Sequence, residues 1–276
     1  MAVARSHLEW QIVGRVRLCG SLFRGGFLKT LFVALCLLIL GASNVQASEC
    51  NRYAVEITTS PAIYQWTSAL EKASNLLAAP PSQADTILLG DSLLAFWPRD
   101  LAETQFGKGS VWNFAVGGSR TQHILWQLEK LGATNLRPRE VVVLIGTNNL
   151  TDEKLPACAI IAGIQAVVGK THETWPGATV HVMGIPPRGS DFHFRDEARR
   201  AINDEIRRWI ATLERTRYFE VDAMRMTCGR YGEAQSTLNL TPDAPKASCE
   251  NYADDFGHFK RRGYEVIYSA LRDEIN

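Results

Sequence analysis

Thr86-Ile87-Leu88-Leu89-Gly90-Asp91-Ser92-Leu93-Leu94 is the stretch whose reading decides the fold. Its first four residues form a short run of the kind a buried strand shows, and Gly90-Asp91-Ser92 closes it. A serine at the C-terminal end of a buried strand, where a helix begins, stands on the rim at which open α/β sheets bind ligands. It becomes a nucleophile when a histidine reaches its hydroxyl.

The alternation continues outward from that stretch. Strands are expected at 85–90, 111–116, 140–146, 179–185 and 218–221, with helices over 93–105 (interrupted at Pro98), 120–131, 156–175, 195–215 and 260–275. Val141-Val142-Val143-Leu144-Ile145 is the continuous apolar run of a parallel strand covered on both faces. Five strands alternating with helices predict an α/β protein, a three-layer α/β/α sandwich around a five-stranded parallel sheet. Right-handed crossovers then bring every strand C-terminus to one rim. Upstream, 48–60 shows no clear period. Pro61 to Leu77 reads as a helix with Ile63, Trp66, Leu70, Ala73 and Leu77 on one face, packed on the domain that follows. Residues 223–257 are irregular and long for a loop of a compact domain, which favours a functional role or a disulfide-pinned cover.

The first 47 residues differ in character. Five basic residues and one acid precede the apolar run Leu31 to Leu40, and small residues follow, with Val45 and Ala47 at the −3 and −1 positions. This reads as a signal peptide cut after Ala47, and therefore a secreted or periplasmic protein with no stable membrane insertion after cleavage. The apolar run is short for a full span, which needs roughly 20 residues. The expected organisation is 1–47 signal peptide, 48–83 N-terminal segment and 84–276 α/β domain. Cleavage changes the net charge from +1 to −3, so nothing points to nucleic acid. Four cysteines remain, Cys50, Cys158, Cys228 and Cys249. An even number in an exported chain permits disulfides in three connectivities, with Cys228–Cys249 the nearest pair in the folded region.

Four places fall on the shared rim: Ser92, Gly117-Gly118, Gly146-Thr147-Asn148-Asn149, and Asp255-Phe256-Gly257-His258. Acyl transfer from an ester needs parts of this kind: a hydroxyl, a base, an orienting acid and donors for the oxyanion. Alone, each is an ordinary feature, since a Gly-Gly after a strand is usually a loop and an asparagine after Gly-Thr often caps a helix. His123 and His172 fall on helices, His181 in a strand and His193 in a polar loop. No histidine pair has metal-ligand spacing, so no metal and no cofactor are expected. Phe96, Trp97 and Trp126 follow the motif blocks and either line an acyl or sugar pocket or pack helix to sheet.

In these blocks the sequence resembles the SGNH, or GDSL-type, hydrolase superfamily. Asn113 to Trp126, Arg137-Pro138, Gly146-Thr147-Asn148-Asn149 and Pro187-Arg188-Gly189 are especially similar to platelet-activating-factor acetylhydrolase-like esterases. The resemblance spans about 84–275 and implies a flavodoxin-like fold and an ester hydrolase. Position by position, it makes Ser92 the nucleophile, His258 the base and Asp255 its orienting acid, with Asp254 the neighbouring alternative. The oxyanion donors it implies are the backbone N–H groups of Ser92 and Gly118 and the side-chain amide of Asn148. Ser119 stands where those acetylhydrolases carry an aspartate, and 223–253 is longer than expected in them. The implied activity is hydrolysis of a small acyl ester, acetyl in the first place, on a carbohydrate or lipid alcohol. The implied partner is thus a small-molecule or glycan ester. Acyl transfer to a sugar hydroxyl and a non-catalytic extracytoplasmic binding domain are the rival readings.

Overall fold

The computed structural model describes residues 50–231 and 249–275. The expected signal peptide at 1–47 and most of the 223–253 stretch lie outside the described residues.

The described residues form one compact unit. In chain order it comprises α1 (Arg52–Thr59), α2 (Thr67–Ala78), β1 (Thr86–Gly90), α3 (Ser92–Ala95), α4 (Arg99–Phe106), β2 (Val111–Asn113) and α5 (Thr121–Leu131). Then follow β3 (Glu140–Leu144), α6 (Ala157–Thr174), β4 (Thr179–Met183), α7 (Asp196–Ile210), β5 (Thr216–Phe219), α8 (Ala223–Met226) and α9 (Arg261–Ile275). The strands form a five-stranded sheet in the order β2-β1-β3-β4-β5, every neighbouring pair parallel.

Strand side chains alternate between two cores. Ile87, Leu89, Val141, Val143, Val180 and Val182 belong to one, with Ile160, Ile164, Val167 and Ile206 from α6 and α7. Leu88, Val142, Leu144, Met183 and Phe219 belong to the other, with Tyr264, Ile267 and Leu271 from α9. This is the α/β/α sandwich the strand pattern predicts. α9 shows the reason at the level of sequence: 264, 267 and 271 repeat at helical spacing, so one stripe faces the sheet.

Several boundaries differ from expectation. The stretch 48–60, without visible period, contains α1. An eight-residue helix is too short to be stable alone. Tertiary partners hold it: Thr58 Oγ1 donates to the Ala159 carbonyl at 2.6 Å, Thr121 Oγ1 donates to the Thr58 carbonyl at 2.8 Å, and Cys50 is bonded to Cys158. The helix expected from Pro61 starts only at Thr67, because Trp66 is extended, with φ −107° and ψ 133°. Ile63 and Trp66 are consequently exposed, and Tyr64 is buried in their place. The second strand ends at Asn113 and the last begins at Thr216 instead of Tyr218. The irregular stretch from 223 opens with the short α8, and Cys228–Cys249 is the second disulfide.

Candidate active site

β1 carries Ser92, the nucleophile the resemblance implies, to the rim. Gly90 must be glycine: a Cβ there would lie 2.1 Å from the Leu144 carbonyl oxygen of β3. Asp91 turns the chain into α3 as its N-cap, its Oδ1 accepting the Leu93 N–H at 2.9 Å. Ser92 is the first residue of that helix. Asn113 of β2 secures it from the side by donating to the Leu94 carbonyl at 2.8 Å.

The histidine comes from the other end of the chain. His258 Nε2 lies 2.9 Å from Ser92 Oγ, and its Nδ1 lies 2.6 Å from Asp255 Oδ2. Asp255 Oδ1 accepts the N–H groups of Gly257 and His258, each at 2.9 Å. Burial raises the Asp255 carboxyl, but its bonds from the His258 side chain and from these two N–H groups outweigh that and hold it down at about 2. The hairpin bearing both residues is closed by Ala253 N–H to the His258 carbonyl at 2.8 Å and by the Tyr252–Phe259 bridge. Tyr252 Oη donates to the Pro187 carbonyl at 2.6 Å, tying the hairpin to the loop after β4. Asp254, the alternative acid, instead pairs with Lys260 at 3.3 Å.

Gly117 and Gly118 follow β2. A Cβ on Gly117 would lie 3.9 Å from that of Ser92, which sets this loop beside the serine. Gly118 has φ +75°, a conformation that suits glycine, and a Cβ there would lie 2.9 Å from the Trp66 ring. Neither the Ser92 N–H nor the Gly118 N–H donates to another group of the described residues. Asn148 donates through Nδ2 to the Ser119 carbonyl at 3.0 Å, which keeps its amide at the loop and leaves its second proton available. Asn149 plays another part. Fully buried, it accepts the Thr121 N–H at 3.1 Å and caps the start of α5. The five positions singled out in the sequence thus meet on one rim.

Other expectations resolve differently. Trp97 is buried against Tyr264 and Phe106, and its Nε1 donates to Gln105 at 2.9 Å, so it packs the helix layer. Trp126 packs edge-on to Tyr64. Phe96 is at the site, 57% exposed, with its ring centroid 5.2 Å from that of His258. Ser119 makes no charge at the loop. Its hydroxyl donates to the Val116 carbonyl at 2.7 Å and lies 2.6 Å from Tyr64 Oη. Two residues beside the loop carry no signal in the sequence: Trp66, expected on a helix face, and His123, an ordinary helix residue by its position. His123 accepts the Arg120 N–H at 3.1 Å and stacks on Tyr64 at 4.6 Å; burial, helped by Arg120, lowers its pKa to about 4, so it is neutral. Trp66 stands edge-on to it at 5.5 Å. No periodicity signals a contact between residues so far apart in the chain. Among the described residues, no group of three or more His, Cys, Asp or Glu side chains could hold a metal ion.

Asp91 is a further titrating group directly beneath the serine. It is fully buried, and its Oδ2 has no hydrogen-bond partner among the described residues. Burial pushes its carboxyl up to about 7, opposed by the Leu93 N–H and the Arg188 charge. Between about pH 4 and 7 the folded state therefore holds a proton that the unfolded state releases, so stability falls as pH rises through that window. The expected loss is about 4 kcal/mol. Asn in place of Asp mimics the protonated form. The unfolding free energy of wild type minus that of Asp91→Asn should decline by this amount from pH 4 to 7.5; parallel curves in urea titrations would refute it.

A serine, a histidine and a carboxylate in series beside unused N–H donors, on the C-terminal rim of an α/β/α sheet, form the kind of arrangement that serine hydrolases use. The model of the GDSL-like lipase/acylhydrolase family matches residues 83–266, and the chain belongs to that family. It is an ester hydrolase. Platelet-activating factor acetylhydrolase IB subunit alpha1 of Homo sapiens is 33% identical over 190 residues, covering 68% of this chain and 74% of that protein. The Rattus norvegicus alpha2 subunit is 26% identical over 201 residues, covering 72% and 80%. Among solved structures, a GDSL-like lipase from Bacteroides thetaiotaomicron superposes with a TM-score of 0.52 at 15% identity, covering 74% of this chain and 95% of that one. At that identity the likeness speaks for the fold alone.

Proposed function

We propose that this protein is an extracytoplasmic serine esterase that removes a small acyl group, acetyl in the first place, from an alcohol through an acyl-serine intermediate. The observation that carries the reading is the hydrogen-bonded series Ser92 Oγ, His258 Nε2, His258 Nδ1, Asp255 Oδ2, at 2.9 and 2.6 Å. In this reading Ser92 Oγ attacks the ester carbonyl carbon while His258 Nε2 takes its proton. The carbonyl oxygen becomes an oxyanion, received by the N–H groups of Ser92 and Gly118 and the amide of Asn148, each worth on the order of 3 kcal/mol in the transition state. Collapse breaks the bond to the alcohol, and His258 returns the proton to the departing oxygen. Water, deprotonated by His258, then attacks the acyl-serine, releasing the acid and regenerating Ser92. Asp255 stays ionised throughout and holds the imidazole with Nε2 toward the serine.

Acetyl is supported by the acetylhydrolase names of the relatives. An oxidising compartment is supported by the two disulfides and by the N-terminal sequence. Among the described residues no helix is long and apolar enough to cross a membrane. The test is covalent. A fluorophosphonate should add one adduct, mapped by peptide mass spectrometry to Ser92, and abolish turnover of p-nitrophenyl acetate. Labelling at another residue with loss of turnover, or no turnover by the untreated protein, would refute the assignment.

A further inference from the structure

The segment 61–66 lies outside the residues that match the family, yet it forms part of the candidate site. Ala62 N–H donates to the Gln122 carbonyl at 3.0 Å, Tyr64 Oη meets Ser119, and the Trp66 ring covers Gly118. Trp66 is fixed edge-on by His123 and Tyr64, at 5.5 and 6.4 Å, but remains 41% exposed. A ring held by its neighbours while 41% of the residue stays exposed has already lost part of the freedom that ligand binding would otherwise cost. Phe96 is the matching ring on the histidine side: it packs on His258 and lies next to Gly117. Two exposed aromatic rings therefore lie at the candidate site, one against Gly118 and one against His258.

We infer that Trp66 and Phe96 form the platform on which a sugar ring sits, and that the alcohol of the ester is a carbohydrate. This inference rests on the proposed esterase reading. His258 must protonate the departing alcohol, so the alcohol lies against His258 and hence beside Phe96. A pyranose presents an apolar face of C–H bonds bordered by hydroxyls, the shape that an open aromatic face accepts. A long acyl chain asks for the opposite, an enclosed concave groove that buries most of it. Here the rings are exposed, and the side chains of His258 and Asp255 are themselves 39% and 52% exposed. An open face of this kind admits a decorated glycan chain.

The test compares esters of one acyl group. Glucose pentaacetate, acetylated xylobiose and 6-O-acetyl-N-acetylglucosamine are assayed against glyceryl triacetate, with p-nitrophenyl decanoate as the long-chain control, using wild type, Trp66→Ala, Trp66→Phe and Phe96→Ala. For the best sugar acetate, the ratio of its kcat/KM to that of glyceryl triacetate should fall about tenfold in both alanine variants. The fall should come mainly through KM, and Trp66→Phe should restore the ratio to within threefold of wild type. A fall below threefold, no recovery with Phe, a wild type that prefers glyceryl triacetate to every sugar acetate, or a loss concentrated on the decanoate overturns the inference. If wild type hydrolyses none of these esters, the esterase reading itself has failed.

Discussion

Ser92→Ala is expected to lower kcat for p-nitrophenyl acetate by at least about four orders of magnitude, with the thermal midpoint within a few degrees of wild type. The side chain lost is small, and the hydroxyl's contact at 2.9 Å is to His258, which keeps its bond to Asp255. In the proposed mechanism, what remains is an oxyanion site with no nucleophile. Asn148→Ala provides the contrast. In the role proposed for it, its amide acts when charge develops on the oxygen, so kcat should fall by about 10²–10³ with little change in KM. Single-turnover and steady-state measurements on both variants check the pair. Ser92→Ala retaining more than about 1% of turnover, or Asn148→Ala acting on KM alone, would remove these residues from the roles proposed for them.

The second large effect concerns the fold. Cys50 and Cys158 are separated by 108 residues, and their bond closes a loop that contains the first three strands of the sheet. The double variant Cys50→Ser/Cys158→Ser should lose roughly 4 to 5 kcal/mol of stability, chiefly because the unfolded chain regains freedom. In a domain of this size that is a fall of the thermal midpoint on the order of 10–20 °C. Calorimetry and urea midpoints of the oxidised wild type and the variant give the number. The other disulfide makes a different prediction. Cys228–Cys249 joins the end of α8 to the approach to the hairpin of Asp255 and His258, where Asn251 Nδ2 donates to the Arg225 and Met226 carbonyls at 3.0 Å. Cys228→Ser/Cys249→Ser should lower turnover before the sheet loses its near-ultraviolet signal on warming; simultaneous loss of both would count against it.

The sheet was legible because its strands are buried on both faces. Val141 to Ile145 is apolar at every position, and Gly, Asn and Pro punctuate the ends. The rim residues were legible because short local patterns, Gly-Asp-Ser, Gly-Thr-Asn-Asn and Asp-x-x-His, carry them, and because the resemblance supplied their expected order. What could not be read was anything made by contact over distance. α1 has too few turns to show a period, and its stability lies in Thr58, Thr121 and a disulfide. Trp66 looks like one more apolar residue of a helix until its ring is found against Gly118, over 50 positions later. Asp91 reads as a turn residue; its unusual protonation comes from complete burial, which no local pattern encodes.

The bond between Ser92 and His258 spans 166 positions of sequence, among the longest-range hydrogen bonds of the described residues. The serine is synthesised with the first strand, whereas the histidine arrives after the last, followed by α9. A nascent or partly threaded chain that already displays Gly90-Asp91-Ser92 therefore lacks the histidine that meets Ser92. Such a topology keeps the proposed hydrolytic centre latent until the two distant parts of the polypeptide have docked. Recovery of turnover during refolding should accordingly mark the end of the process, later than the burial of tryptophan or the gain of helix.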